Sequence, residues 1–110
     1  MKIPNGDRAD LGVKLEDYSL NSLHRQGQHK ARVFESLLGI THANADLLRT
    51  ALLHAAANSE DAVHKGNNGY GEVYELHFSL TTPRATAIVF SAWVIRNSED
   101  FPRLVTCFIL

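Results

Sequence analysis

The sequence has one cysteine, no net positive charge and no long apolar run, and each absence excludes a class of protein. The single cysteine of this 110-residue chain, Cys107, cannot form an internal disulfide, and its apolar neighbours indicate a buried core thiol. No apolar run reaches the roughly 20 residues of a membrane-spanning helix. The first residues also lack the apolar segment of a secretory signal. We therefore expect a domain that folds inside the cell or in another reducing compartment.

The charge of the chain excludes nucleic-acid binding through a positive field over the whole domain. The formal net charge is −1 with six histidines taken as neutral, so any such binding has to come from a local patch. One candidate patch has no acid among its nine residues and contains His24, Arg25, His29, Lys30 and Arg32. A solvated helix face is the alternative interpretation of the same pattern.

Motifs for metals and for phosphate loops are also missing. The histidines do not have the HExxH spacing, and one cysteine cannot form a zinc knuckle. The glycine-rich segment GNNGYG lacks the lysine that follows a phosphate-binding loop. We expect no metal and no cofactor, and we interpret His42, His54, His64 and His77 as structural or exposed.

Helical patterns occupy the first half of what we expect to be a single domain, residues 1–110. Ile3 to Leu11 indicates a turn, Lys14 to Leu20 a short helix, and a stronger helix begins near Gln28 and ends at Gly39 as a left-handed cap. Asn44 is the predicted cap of a third helix. Its predicted buried stripe consists of Leu47, Leu48, Ala51, Leu52 and Ala55.

Strand patterns occupy the second half, after a predicted flexible connection from Asn58 to Gly71. Val73 to Leu80 alternates apolar and polar residues and predicts a strand with one wet face. Thr86 to Arg96 is apolar on both sides and predicts a central strand covered on both faces, with Trp93 in the core. Arg103 to Ile109 is β-rich, and its lack of charge after Arg103 predicts an interior strand or an interface between copies.

The predicted fold class is therefore α+β, with N-terminal helices packed on a C-terminal antiparallel sheet of three to four strands. Ile3 or the segment near Leu11 is a candidate for a further edge strand.

A family resemblance rests on a run with His24, Gly27, Lys30, Ala31, Phe34, Leu38 and Gly39, followed by the segments SAW and PRLVTC. This pattern resembles an uncharacterised family of small bacterial domains, found alone and at the C-termini of polymorphic toxins. That family is similar to the ribonuclease superfamily of barnase, EndoU, the tRNA-cutting colicins and RelE. The resemblance implies N-terminal helices before a four-stranded antiparallel sheet. It also implies a cytoplasmic location, or delivery into the cytoplasm of a target cell.

Metal-independent RNA cleavage needs a base for the ribose 2′-hydroxyl, an acid for the leaving oxygen and cations for the developing phosphorane charge. His24, His29 and Lys30 are the predicted catalytic residues, because histidine suits proton transfer near neutral pH and lysine carries charge. The predicted substrate-binding residues are Arg32, Ser91, Arg96, Arg103 and Thr106. A metal-independent ribonuclease-like toxin or effector domain is the favoured function, with RNA and a cognate immunity protein or antitoxin as expected partners. The alternative is a non-catalytic binding module or a partner in a complex of the toxin and antitoxin type.

Overall fold

The structure, a computed structural model, describes residues 1–12 and 28–110 and shows an α+β fold in which helices precede a sheet. Helix α1 spans Gln28–Val33 and continues as a π-helical turn over Phe34–Leu38, and helix α2 spans Asp46–Asn58. The strands are β1 (Val63–Asn67), β2 (Gly71–Thr81), β3 (Thr86–Arg96) and β4 (Arg103–Ile109). Short 3₁₀ turns lie at Gly6–Arg8 and His42–Asn44. The predicted helix from Lys14 to Leu20 lies outside the described residues.

The four strands pair in the order β1-β2-β3-β4, with each neighbour antiparallel, so the sheet is a meander. The α+β class and the antiparallel sheet are confirmed. The predicted flexible connection from Asn58 to Gly71 is wrong over Val63–Asn67, because these residues form β1 and pair with β2. The polar, glycine-rich signal belongs to the hairpin turn, where Gly69 takes a φ of 96° that other residues rarely adopt.

The N-terminal segment and β4 meet at one edge of the described sheet. Asp10 makes one parallel bridge to Arg103 rather than a strand, and Ile3 is buried in the core. Within the described part of the chain β4 is an edge strand, so the prediction of an interior position is wrong. Its role as an interface between copies stays a prediction.

Side-chain alternation along the strands gives the sheet two unlike faces. On the face that we call inner, Leu76, Trp93 and Cys107 pack in one apolar cluster with Phe34 and Leu52 from the helical segments. Trp93 and Cys107 are fully buried, which confirms both as core residues. The face that we call outer carries the intervening residues of each strand.

The outer face of β3 carries an exposed apolar residue, so the prediction of cover on both faces along the whole strand is wrong. Ile88 is 43% exposed and Phe90 is half-buried, whereas Val89 between them is fully buried. The apolar residues on this side pack within the face itself: the rings of Phe90 and Phe108 stack with centroids 4.6 Å apart.

The helix that begins at Gln28 and the cap at Gly39 are both confirmed. Gly39 has a φ of 70°, and its N–H donates to the carbonyl of Glu35. That left-handed cap ends the helix above the sheet, where the Thr82 hydroxyl donates to the Leu38 carbonyl at 2.8 Å.

Helix α2 buries Leu48 and Leu52 completely, as its stripe predicts, but two details differ. Leu47 is 44% exposed, because it falls beside the stripe rather than in it. Asn44 does not cap α2, which follows Ala45 without a side-chain cap. Its amide instead accepts from the Thr41 N–H and donates to the Gly39 carbonyl, so it stabilises the preceding turn.

Candidate functional site on the outer face of the sheet

Lys30 is the predicted site residue with the most defined surroundings. Its side chain extends from α1, and the ammonium Nζ donates to the Thr106 hydroxyl Oγ1 at 2.6 Å. The same Nζ lies 5.4 Å from the centroid of the Phe108 ring, within the range of a cation–π contact. Lys30 is half-buried, and Ala31 beside it is buried. The structure therefore brings Lys30 and Thr106, two of the predicted site residues, into direct contact at the outer face.

A β-bulge is what turns Thr106 towards Lys30. Trp93 pairs with Leu104 and Ala92 pairs with Thr106, which leaves Val105 as an extra residue in β4. Leu104 and Thr106 are two positions apart and would share a face in a regular strand. The extra residue keeps Leu104 in the core and places Thr106 on the outer face, which is how bulges redirect side chains at functional sites.

Two other cationic residues of the predicted segment, both within the described part of the chain, are exposed. His29 and Arg32 both lie on α1 at the surface, and Arg32 lines a shallow cavity of about 440 Å³ with Glu35, Ser36 and Arg84. Among the described residues, the hydrogen bond to the Thr106 hydroxyl comes from Lys30 and not from either of these side chains. His24 lies outside the described residues.

Ser91 does not fit the prediction of a substrate contact. Its side chain is fully buried on the inner face, where the hydroxyl donates to the Leu76 carbonyl at 2.8 Å. The same oxygen accepts from the indole Nε1 of Trp93 at 2.9 Å. Both partners belong to the core, so this hydroxyl satisfies buried polar groups and is out of reach of a substrate in this structure.

Arg96 and Arg103 lie at the end of the sheet where β3 connects to β4, and both are close to acidic side chains. The guanidinium of Arg103 donates to both carboxylate oxygens of Glu99, at 2.8 and 2.7 Å, and to Asp10 at 3.1 Å. Its hydrogen bonds to Glu99 hold the pKa of that carboxyl below its usual value. Arg96 is exposed and approaches Glu99 to 3.9 Å. Arg103 is three positions before Thr106, roughly 10 Å along a strand, so these arginines do not join the Lys30 contact.

A second group of outer-face residues was interpreted from the sequence as structural or was not singled out. His77 of β2 lies 5.3 Å, centroid to centroid, from the ring of Phe90, which in turn stacks on Phe108. Beside His77 is a cavity of about 380 Å³ whose lining consists of Asp61, Val63, Lys65, Glu75 and His77. The alternation in Val73 to Leu80, which places Glu75 and His77 on one wet face, was the signal that could have found them.

A larger groove of about 630 Å³ lies between α2 and β2. Its lining is mostly apolar, with Leu47, Ala51 and Phe78, and the imidazole of His54 adds a polar group. This groove is separate from the residues that the sequence predicts for catalysis.

The described residues were also compared with what a metal site and a membrane-spanning helix require. In residues 1–12 and 28–110, no group of three or more histidine, cysteine, aspartate or glutamate side chains is arranged to hold a metal ion. The helices within the same ranges are too short or too polar to cross a membrane.

A solved structure shares the fold of this chain, and a family model matches its sequence. A chain of the contact-dependent growth inhibition toxin–immunity protein complex from Klebsiella pneumoniae 342 aligns with a TM-score of 0.73 and 16% identity, over 96% of each chain. At that identity the likeness shows a common fold. No curated protein matches the sequence. The model of the domain of unknown function DUF6883 matches residues 2–110, and the chain therefore belongs to the DUF6883 family.

Proposed function

We propose that this domain is a metal-independent ribonuclease-like toxin or effector domain that cleaves RNA by transesterification through the ribose 2′-hydroxyl. The observation that carries the proposal is the contact between the Lys30 ammonium and the Thr106 hydroxyl on the outer face. The fold it shares with a chain of a toxin–immunity protein complex supports a toxin-related role and a cognate immunity protein as partner. Its helix start and last strands resemble a family of small bacterial domains that is in turn similar to the barnase and RelE superfamily, and this supports RNA as the substrate.

The Lys30 and Thr106 pair suits the charge that develops on a phosphate during this reaction. The Thr106 oxygen accepts from Lys30, so its own O–H can donate to a phosphate oxygen. The Lys30 ammonium, hydrogen-bonded to the same hydroxyl, places its positive charge close to that phosphate. A fixed cation and a fixed hydroxyl at the developing charge stabilise the phosphorane more than the ground state.

Proton transfer falls to histidines of the same segment. His29 precedes Lys30 on α1, and His24 is the other predicted acid or base. Arg32 adds positive charge on the exposed side of α1 and can attract the RNA backbone. Of the predicted substrate-binding residues, Thr106 and Arg32 enter this proposal, whereas the buried Ser91 and the ion-paired Arg103 do not.

The test is cleavage of a mixed RNA pool by the purified protein in excess chelator, followed by detection of a 2′,3′-cyclic phosphate. We expect Lys30→Ala to reduce the rate by about 10²-fold to 10³-fold, the effect of removing one donor to transition-state charge. Thr106→Val, which keeps the shape and removes the hydroxyl, should also slow cleavage. Lys2→Ala is the matched control, because Lys2 is an exposed lysine in the N-terminal segment.

Thermal unfolding of each variant separates lost catalysis from lost folding. If Lys30→Ala cleaves RNA at the wild-type rate, Lys30 is not part of the site. Wild-type protein that cuts no RNA in the pool contradicts the enzymatic proposal.

The second candidate is a non-catalytic binding module, or one partner in a complex of the toxin and antitoxin type. The apolar groove between α2 and β2 favours it, because Leu47 and Phe78 offer contact area away from the Lys30 pair. For this candidate we expect a protein that does not cleave RNA but binds a cognate partner. Leu47→Asp should weaken that binding.

A further inference from the structure

The outer face carries a row of rings that the Lys30 contact does not explain. The row consists of His77 on β2, Phe90 on β3 and Phe108 on β4, each packed on the next, with ring centroids 5.3 and 4.6 Å apart. It crosses three neighbouring strands, a distance of about 10 Å. His77 is exposed and both phenylalanines are half-buried, so the row forms part of the molecular surface.

A lysine lies at each end of this row. At the β4 end, the Lys30 ammonium is 5.4 Å from the Phe108 ring centroid. At the β2 end, Lys65 of β1 lines the same cavity as His77 and Glu75. Val63 pairs with Glu75 of the outer face, and Lys65 is two positions further along β1, so alternation places its side chain on the same face.

Rings between two cations match a particular kind of ligand. Single-stranded nucleic acid offers flat bases for the rings and phosphates for the lysines, and base stacking on aromatic side chains is a main source of its binding energy. A four-stranded sheet with aromatic residues on its open face is a known arrangement for stacking two or three bases. Duplex RNA does not fit, because its bases are already stacked on each other.

We propose that His77, Phe90 and Phe108 form a stacking subsite for unpaired bases of a single-stranded RNA, which crosses the sheet between Lys30 and Lys65. The choice of RNA rests on the proposed function, and the subsite defines the substrate as unpaired rather than duplex. The cavity of about 380 Å³ beside His77 takes the edge of one base, where the carboxylates of Asp61 and Glu75 accept from its N–H groups.

The experiment measures binding of a fluorescent 2′-O-methyl RNA ten-mer by anisotropy at low salt. This probe lacks the 2′-hydroxyl nucleophile, so binding is separated from cleavage. We expect Phe90→Leu and His77→Ala each to weaken binding about fivefold or more, the lower range for one stacked base. Tyr70→Leu is the matched control, because Tyr70 is an aromatic residue 78% exposed at the β1–β2 turn, outside the row.

Two further measurements test the cations and the strandedness of the ligand. Lys65→Ala should reduce the slope of log binding constant against log salt by about 0.7, the value for one contact to a single-stranded phosphate. A duplex of the same sequence should bind more weakly than the single strand. Circular dichroism of Phe90→Leu checks its folding, and the exposed His77 provides a variant that leaves the core intact.

The outcomes separate this proposal from the proposed function. Binding that is equal in wild type, Phe90→Leu and His77→Ala overturns the subsite, even when the protein cleaves RNA. Absence of binding to the ten-mer, or equal binding of duplex, also overturns it. Binding that depends on the row in a protein without cleavage activity supports the subsite and contradicts only the catalytic proposal.

Discussion

On the inner face of the sheet, Ser91 and Trp93 satisfy each other's polar atoms and leave nothing for a ligand, whereas on the outer face Thr106 and Phe108 hold the ammonium of Lys30 at the surface. Both arrangements use a hydroxyl and an aromatic ring that are two positions apart on one strand and therefore share a face. The difference lies in what covers them. A hydroxyl under helices is a structural group, and a hydroxyl beside a cation at an open edge is a candidate for chemistry.

The largest expected effect tests the inner face through α2. Leu52→Ala should lower the free energy of unfolding by about 2 to 5 kcal/mol, because Leu52 is fully buried and its loss leaves a cavity. Leu47→Ala on the same helix is the matched control, and its effect should stay within about 0.5 kcal/mol since Leu47 is largely at the surface. Urea denaturation of both variants makes the measurement. Equal losses at the two positions would mean that the helix packs with a different face.

The second expected effect tests the hydroxyls themselves. Ser91→Ala should cost about 1 to 3 kcal/mol, because it leaves the buried Trp93 N–H without its acceptor. Ser79→Ala, on the outer face of β2, is the control and should be nearly neutral because Ser79 is exposed. Thermal unfolding compares the two. If Ser91→Ala lost RNA cleavage but kept its stability, the structural role of Ser91 would be contradicted, and Ser91 would again be a candidate for the substrate-binding site.

The inner face was largely predictable from the sequence, because burial follows periodicity. The spacing of Leu48 and Leu52 indicated the buried stripe of α2, and the apolar surroundings of Trp93 and Cys107 indicated the core. Gly39 marked a helix end because glycine readily adopts the left-handed cap. Strand β1 was missed because Gly66 and Asn67 have low strand propensity, and its pairing with β2 comes from tertiary contacts that propensity does not contain.

The outer face was less predictable, because a bulge in β4 decides which of its side chains reach that face. Strict alternation places Leu104 and Thr106 on one face, and nothing in the types of these residues indicates the extra Val105. Ser91 and Thr106 looked equivalent in the sequence, and the structure separates them to opposite faces. His77 and Glu75 were on a predicted wet face, but a strand pattern alone does not show that Lys65 and Phe90 lie beside them.

The smallest expected effect concerns the ion pair at the far end of the outer face, and it appears as a dependence of stability on pH. Hydrogen bonds from Arg103 lower the pKa of Glu99 in the folded protein, so the unfolded chain binds this proton more strongly. The stability that Glu99 contributes is therefore fully present above the unfolded pKa of about 4.3. It is lost as the pH falls through that value towards the lower, folded pKa.

Glu99→Gln removes the titrating group at nearly constant shape. We expect its melting temperature to lie slightly below that of the wild type near neutral pH and to converge with it as the pH falls below about 4.3. The effect is small because the pair is partly solvated and screened by salt. Glu60→Gln, at an exposed position, is the control for the removal of one surface carboxylate. If the difference in melting temperature between wild type and Glu99→Gln stays constant at acidic pH, Arg103 does not hold this carboxylate in solution. Arg103 would then be available for the phosphate contact that its ion pairs now argue against.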